Sequence, residues 1–240
     1  MSEPDAAGQA YGEILRLDVL LNLQADVAAL HDDLFFIVMH QAHELWFKVL
    51  LHELESAREH IAEHDVPGAV DRLRRARCVE LLLAQHLDAL QTLSAESFEI
   101  LRERLGTSSG FQSAQFREIE YLSGCKDSRY LASSYFSPAE RERLARRYRE
   151  PSLSETFQQF LECHGIVDLP DALRRDGGGE LTDLVTALVE HDRGFQEWRS
   201  RHIDIVGRFI GGKPGTGGTA GLSYLHATLD RRFFPDLWEV

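Results

Sequence analysis

Phe35-Phe36-Ile37-Val38-Met39-His40-Gln41-Ala42-His43-Glu44-Leu45-Trp46-Phe47-Lys48 is the stretch whose pattern decides the fold. At helical spacing Phe36, His40, His43, Phe47, Leu50 and Leu54 fall at alternating steps of four and three, while Gln41, Glu44, Lys48, His52, Glu55 and Glu59 form a polar stripe. The spacing predicts a long helix from about His31 to His64 with two histidines on its core face. An imidazole among Phe and Leu needs a hydrogen-bond partner or a ligand, because an unpaired buried polar group costs about 1–3 kcal/mol.

Outward from this helix the same period recurs. Residues 1–10 are small and polar and read as a disordered N-terminus; residues 11–240 read as a single all-α domain. Ile14, Leu15, Leu17, Leu20, Leu21 and Leu23 suit a short helix or a leucine-rich arm of the kind that docks on a neighbouring subunit. Pro67-Gly68 punctuates the chain, and a further helix runs from about Pro67 to Leu93. Ser94 followed by Glu96 reads as the cap of a short helix ending at Leu105. Past the Gly106–Gly110 loop, helices are expected over Phe111–Leu122, along the charged run Glu140–Arg149 and over Ser152–Gly165. After the Asp176–Gly179 break, Leu181, Leu184, Leu188, His191, Phe195, Trp198, His202, Ile205 and Phe209 keep the three-four step through nine positions. The Gly211–Gly221 segment holds too much glycine for regular structure, and a last helix over Leu222–Phe234 stops before Pro235. No β-type alternation of useful length is present, so the fold class is all-α.

A net charge of -13 argues against nucleic acid as a partner, since phosphate binding needs a basic surface. Cys78, Cys125 and Cys163 are odd in number and lack metal-type spacing, as expected of free thiols in a reducing cytoplasm. The first ten residues have no signal-peptide pattern and no run of about 18 apolar residues stands out, so the chain reads as soluble and cytoplasmic.

A lone histidine on an apolar face is usually a satisfied core residue, but four of them on two long helices suggest more. His40 or His43 opposite His191 or His202 suits a cofactor held in a helical bundle, with one axial ligand and one imidazole over the open face. Haem fits this better than zinc: His43-Glu44 is followed by Phe47 where HExxH needs histidine, and paired ExxH motifs are missing. The glycine-rich segment is either a linker or a lid whose backbone amides, with the hydroxyls of Thr216 and Thr219, bind one end of a ligand. Arg117 is either a surface ion pair or a bidentate fork for an amino-acid carboxylate.

Several segments together resemble the tryptophan 2,3-dioxygenase family of the haem-dependent aromatic oxygenases. They are Tyr11-Gly12 with Leu15–Leu21; Phe36–Gln41 with Glu44–Lys48; Ser108–Ser113 with Arg117 and Glu120; Trp198-Arg199 with Arg201-His202; Gly215–Thr219; and Phe234–Trp238. The resemblance implies a helical, tetrameric enzyme with haem b between its long helices. Such an enzyme adds O2 to the indole of L-tryptophan and opens the ring to N-formyl-L-kynurenine. It implies His202 as the axial iron ligand and His40 as the distal histidine near the indole N–H. Phe36 would line the indole pocket, Arg117 would pair with the substrate carboxylate, and Thr216 would close on the amino-acid end. Tyr11 would belong to an arm reaching a neighbouring subunit's site. His43 stands where the family has Tyr, Ser or Thr, Ile14 replaces a tyrosine of the arm, and Ala114 is smaller than usual. Two alternatives stay open: a monooxygenase of the same superfamily, making a 2-oxindole or hydroxylating tyrosine, and a non-catalytic haem-binding helical protein.

Overall fold

The computed structural model describes residues 10–24, 30–211, 213, 215 and 221–239, with the side chain of Phe111 excepted. The described residues hold α-helices and short 3-10 turns and no strand. They are α1 Tyr11–Ile14, α2 Leu17–Leu20, α3 His31–Ala62, α4 Val66–Leu90, α5 Ala95–Leu105, α6 Ala114–Ser123, α7 Pro138–Arg149, α8 Leu153–Cys163, α9 Leu169–Asp176, α10 Glu180–Ile210 and α11 Leu222–His226. The expected disorder of residues 1–10 falls almost wholly on residues 1–9, outside the described residues; Ala10 caps α1.

Three long helices make the frame. α4 packs along both α3 and α10, whereas α3 and α10 have no comparable backbone packing on each other. A crevice is thereby left between α3 and α10, floored by α4. The core runs through Leu50, Leu54, Ala57 and Ile61 of α3, Ala69, Leu73 and Ala76 of α4, and Leu184 and Leu188 of α10, all fully buried. α3 is long and apolar enough by composition to cross a bilayer. One side of it packs on α4, α6 and α8, while Leu34, Val38 and Leu45 on the other side are exposed.

Local chemistry moves several boundaries away from those the sequence predicts. α3 and α4 are separated by Glu63, His64 and Asp65 and not by Pro67-Gly68: His64 takes φ +61°, and the Asp65 carboxylate caps α4 at the Gly68 amide. Pro67 sits inside the first turn of α4, where its missing N–H costs nothing. The helix expected from Phe111 begins at Ala114, because the Ser113 hydroxyl accepts from the Phe116 amide and Gly110–Gln112 tightens into a 3-10 turn. α9 was not expected; Asp168 caps it, Pro170 lies in its first turn, and although none of its residues is fully buried, Leu169 and Leu173 pack half-buried against the core. The helix expected over Leu222–Phe234 ends at His226. Its remainder is held otherwise: Oδ2 of buried Asp192 accepts from the Phe233 and Phe234 amides and from Trp238 Nε1, which draws those groups out of a helical ladder.

Candidate functional site

The crevice between α3 and α10 is a cavity of about 680 Å³, a size that suits a small organic ligand or cofactor. α3 contributes Phe36, His40 and His43, α4 Leu87 and Leu90, α5 Phe98 and Arg102, α6 Arg117, and α10 Trp198, His202, Val206 and Phe209. Phe36 is buried, and its ring lies 4.1 Å from that of His40. Phe98 and Phe209 stack at 4.5 Å, joining α5 to α10 along one wall.

The two α3 histidines divide. His43 is buried as expected, but His40 opens into the cavity and Met39 takes its place in the core. Both rings approach the main-chain carbonyl four residues earlier at 2.8 Å, His40 Nδ1 that of Phe36 and His43 Nδ1 that of Met39. A carbonyl only accepts, so each Nδ1 carries the proton and each Nε2 is left a bare acceptor. Enclosure by protein lowers the His40 pKa, against the Phe36 carbonyl and the Glu44 carboxylate. Burial pushes His43 down to about 4, with the Met39 and Leu83 carbonyls opposing and His40 and His86 adding to the fall. Both rings are neutral near pH 7.

On α10 the outcome separates the two candidate ligands. His191 is fully buried and satisfied at both nitrogens, with Nδ1 2.5 Å from Glu80 Oε1 and Nε2 2.9 Å from Ser123 Oγ. It is a structural residue and not an axial ligand. His202 lines the cavity, and its ring lies parallel to that of Trp198, one turn earlier, at 5.1 Å and 9°. Burial, with smaller contributions from His40 and His43, lowers its pKa to about 4, so it presents a neutral nitrogen to whatever fills the space. Among the described residues no three His, Cys, Asp or Glu side chains meet in a metal-holding group. A metal in this cavity therefore has to bring most of its own ligands.

Arg117 is buried, not a surface ion pair. Its Nη1 donates to Glu120 Oε2 at 2.6 Å, and its guanidinium lies 4.2 Å from the centre of the Tyr130 ring. The same Glu120 accepts from Arg199 at 2.9 Å through its other oxygen. Two buried guanidiniums thus converge on one carboxylate. The Tyr130 and Tyr224 hydroxyls meet at 2.6 Å, and Tyr224 lines the cavity from α11. Periodicity gave no sign of either tyrosine, since both lie in short elements. Thr216 lies outside the described residues. Tyr11 is 74% exposed on α1 and does not line the cavity.

A family model described as tryptophan 2,3-dioxygenase matches residues 2–167 and 174–240. The chain belongs to the tryptophan 2,3-dioxygenase family. The interruption falls across Asp168 and the start of α9, which carries none of the cavity residues. Proteins named tryptophan 2,3-dioxygenase are similar along nearly their whole length. That of Nocardioides sp. is 41% identical, covering 95% of this chain and 92% of its own. That of Herpetosiphon aurantiacus is 38% identical over 96% of both chains. That of Anaeromyxobacter sp. is 37% identical over all of this chain and 98% of its own.

Proposed function

We propose that this member of the tryptophan 2,3-dioxygenase family is a haem-dependent enzyme that adds both atoms of O2 to the indole ring of L-tryptophan, giving N-formyl-L-kynurenine. The observation that carries the reading is one apolar cavity with neutral His40 and His202 on facing helices and the Arg117–Glu120–Arg199 cluster beside it.

The residues fit haem b. His202 makes no hydrogen bond among the described residues and is free to ligate the iron, Leu87, Leu90, Val206 and Phe209 offer the apolar walls a porphyrin needs, and Arg102 brings positive charge to its carboxylates. When bound, the haem iron supplies the redox centre that activates dioxygen. The protein's part is to bind and orient. His40 Nε2, an acceptor by its tautomer, receives the indole N–H, and Phe36 packs on the ring. Arg117 and Arg199 together outnumber Glu120 by one charge, which suits a site for the substrate carboxylate. Thr216 closes on the amino-acid end. Holding the substrate at both ends removes orientational freedom before reaction.

The exposed apolar side chains of Ile14, Leu15, Leu21 and Leu23, with Leu34, Val38 and Leu45 on the outer face of α3, are covered in a homotetramer, where Tyr11 reaches a neighbouring site. Three unpaired cysteines suit a cytoplasmic enzyme.

The test is anaerobic reduction of the haem-loaded protein followed by L-tryptophan and air, recording spectra and product mass together. A gain of two oxygen atoms with N-formylkynurenine absorbance is expected. A gain of one, or turnover only with tyrosine or a substituted tryptophan, overturns the dioxygenase reading in favour of a monooxygenase.

A further inference from the structure

Three buried nitrogen atoms without a hydrogen-bond partner lie around His43, one from each long helix: His43 Nε2 of α3, His86 Nδ1 of α4 and Trp198 Nε1 of α10. The His43 and His86 ring centres are 5.7 Å apart, and those of His43 and Trp198 6.4 Å. Their chemistry is complementary. The Trp198 N–H can only donate, and His43 Nε2 can only accept, because it is Nδ1 that carries the ring hydrogen and donates it to the Met39 carbonyl. The Leu83 carbonyl approaches the same ring. Polar groups buried this way are normally satisfied, and a buried water typically makes about three hydrogen bonds.

We propose that His43 and His86 are positioning residues that share one buried water with the Trp198 N–H and thereby fix the orientation of the His202 imidazole. The path of the effect is short. Trp198 is wedged by Phe47, Phe116 and Phe195 at 6.2, 5.2 and 6.1 Å, and its indole lies flat on the His202 ring. Aromatic contacts hold the indole plane, while the N–H selects between the two χ2 settings, a half-turn apart, that share that plane. The water supplies that tether, so the ring stacked on His202 has one setting, and neighbours that orient a metal-bound imidazole tune the metal. The inference rests on His202 being the iron ligand.

The experiment uses haem-loaded protein and three readouts: the iron–histidine stretching band of the ferrous form, the midpoint potential and the rate of haem loss. Trp198→Phe keeps a stacking ring and removes the donor; His43→Leu removes the acceptor. Each is expected to shift the band and the potential in the same direction, and the double variant to shift them no further than the larger single effect, since both changes break one bridge. His43→Gln, which restores an acceptor, is expected to recover part of the shift. An unmoved band and potential in Trp198→Phe and His43→Leu overturn the proposal, as do fully additive shifts. If His43→Leu does not fold, Trp198→Phe and His86→Leu decide in the same way. A wild-type protein without the band, or a His202→Ala protein that keeps it, refutes the ligand assignment and this inference together; a band lost in His202→Ala but untouched in the other variants refutes this inference alone.

Discussion

Arg117 and His191 look alike in one respect: each is a charged or polar side chain on a mostly apolar helix face, and each is buried. Their neighbours make them different. Arg117 shares Glu120 with Arg199, whereas His191 has one carboxylate and one hydroxyl to itself. Replacing Arg117 with Leu removes a charge-assisted contact worth about 1.5–3 kcal/mol, so KM for L-tryptophan is expected to rise by roughly ten- to a hundred-fold. Steady-state kinetics on protein of matched haem content checks it. His191→Phe leaves Glu80 buried without its partner, and a stability loss of about 3–5 kcal/mol is expected by chemical denaturation. Haem binding by the surviving folded protein should not change. Position on the stripe was legible from spacing for His191, whereas for Arg117 only its place on a helix was. The opposite fates of His191 and His202 were not, because Glu80 and Ser123 reach His191 across 111 and 68 residues of chain.

At the scale of elements, the crossing of α4 and α10 depends on a glycine. A Cβ at Gly194 would stand 2.0 Å from Glu80 Oε2 and 2.6 Å from Arg77 Nη1, and the nearer group is already held by the buried His191 pair. Gly194→Ala is therefore expected to destabilise the protein by about 1–3 kcal/mol, through overpacking and despite the better helix propensity of alanine. A thermal melt above that of the parent would refute it. Ser113, capping α6, matters for another reason: α6 carries Arg117, four residues on. Ser113→Ala is expected to cost about 1 kcal/mol of stability and to raise KM more than it lowers kcat, because the frayed turn is the one that aims the guanidinium. The long helices were legible in the sequence because their apolar positions repeat over seven or more turns. α9 and the C-terminal segment were misread because eight residues give too few repeats, and because the Asp192 carboxylate competes for the amides of Phe233 and Phe234.

For the whole molecule the histidines around the cavity set an acid limit. His43 and His202 fall to about 4 from an ordinary 6.5, mainly through burial, and His40 moves the same way. Between about 6.5 and 4 the unfolded chain takes up protons that the folded protein refuses, so stability is lost as pH falls through that window. Glu80 opposes this, since burial raises its pKa and its share of stability is lost as pH rises instead. Three histidines act against one carboxylate, and the urea midpoint of the cofactor-free protein is expected to be lower at about pH 5 than at about pH 7. A midpoint unchanged between the two would show that the imidazoles are not desolvated.

The sequence by itself determined the helical class, the lengths of α3, α4 and α10, and the faces on which Phe36, His43, His191 and His202 lie, because the helical period alone sets these. It also carried the family's motifs, and with them an expectation for His40, Arg117 and His202. Tertiary structure decided the rest. It left α3 and α10 apart over α4 to make the cavity, gave His191 to Glu80 and Ser123, turned His40 into the open space and placed Tyr130 and Tyr224 beside Arg117. A helical period fixes which side a residue takes, but the partner waiting there comes from chain far away, brought in by packing that no local pattern encodes.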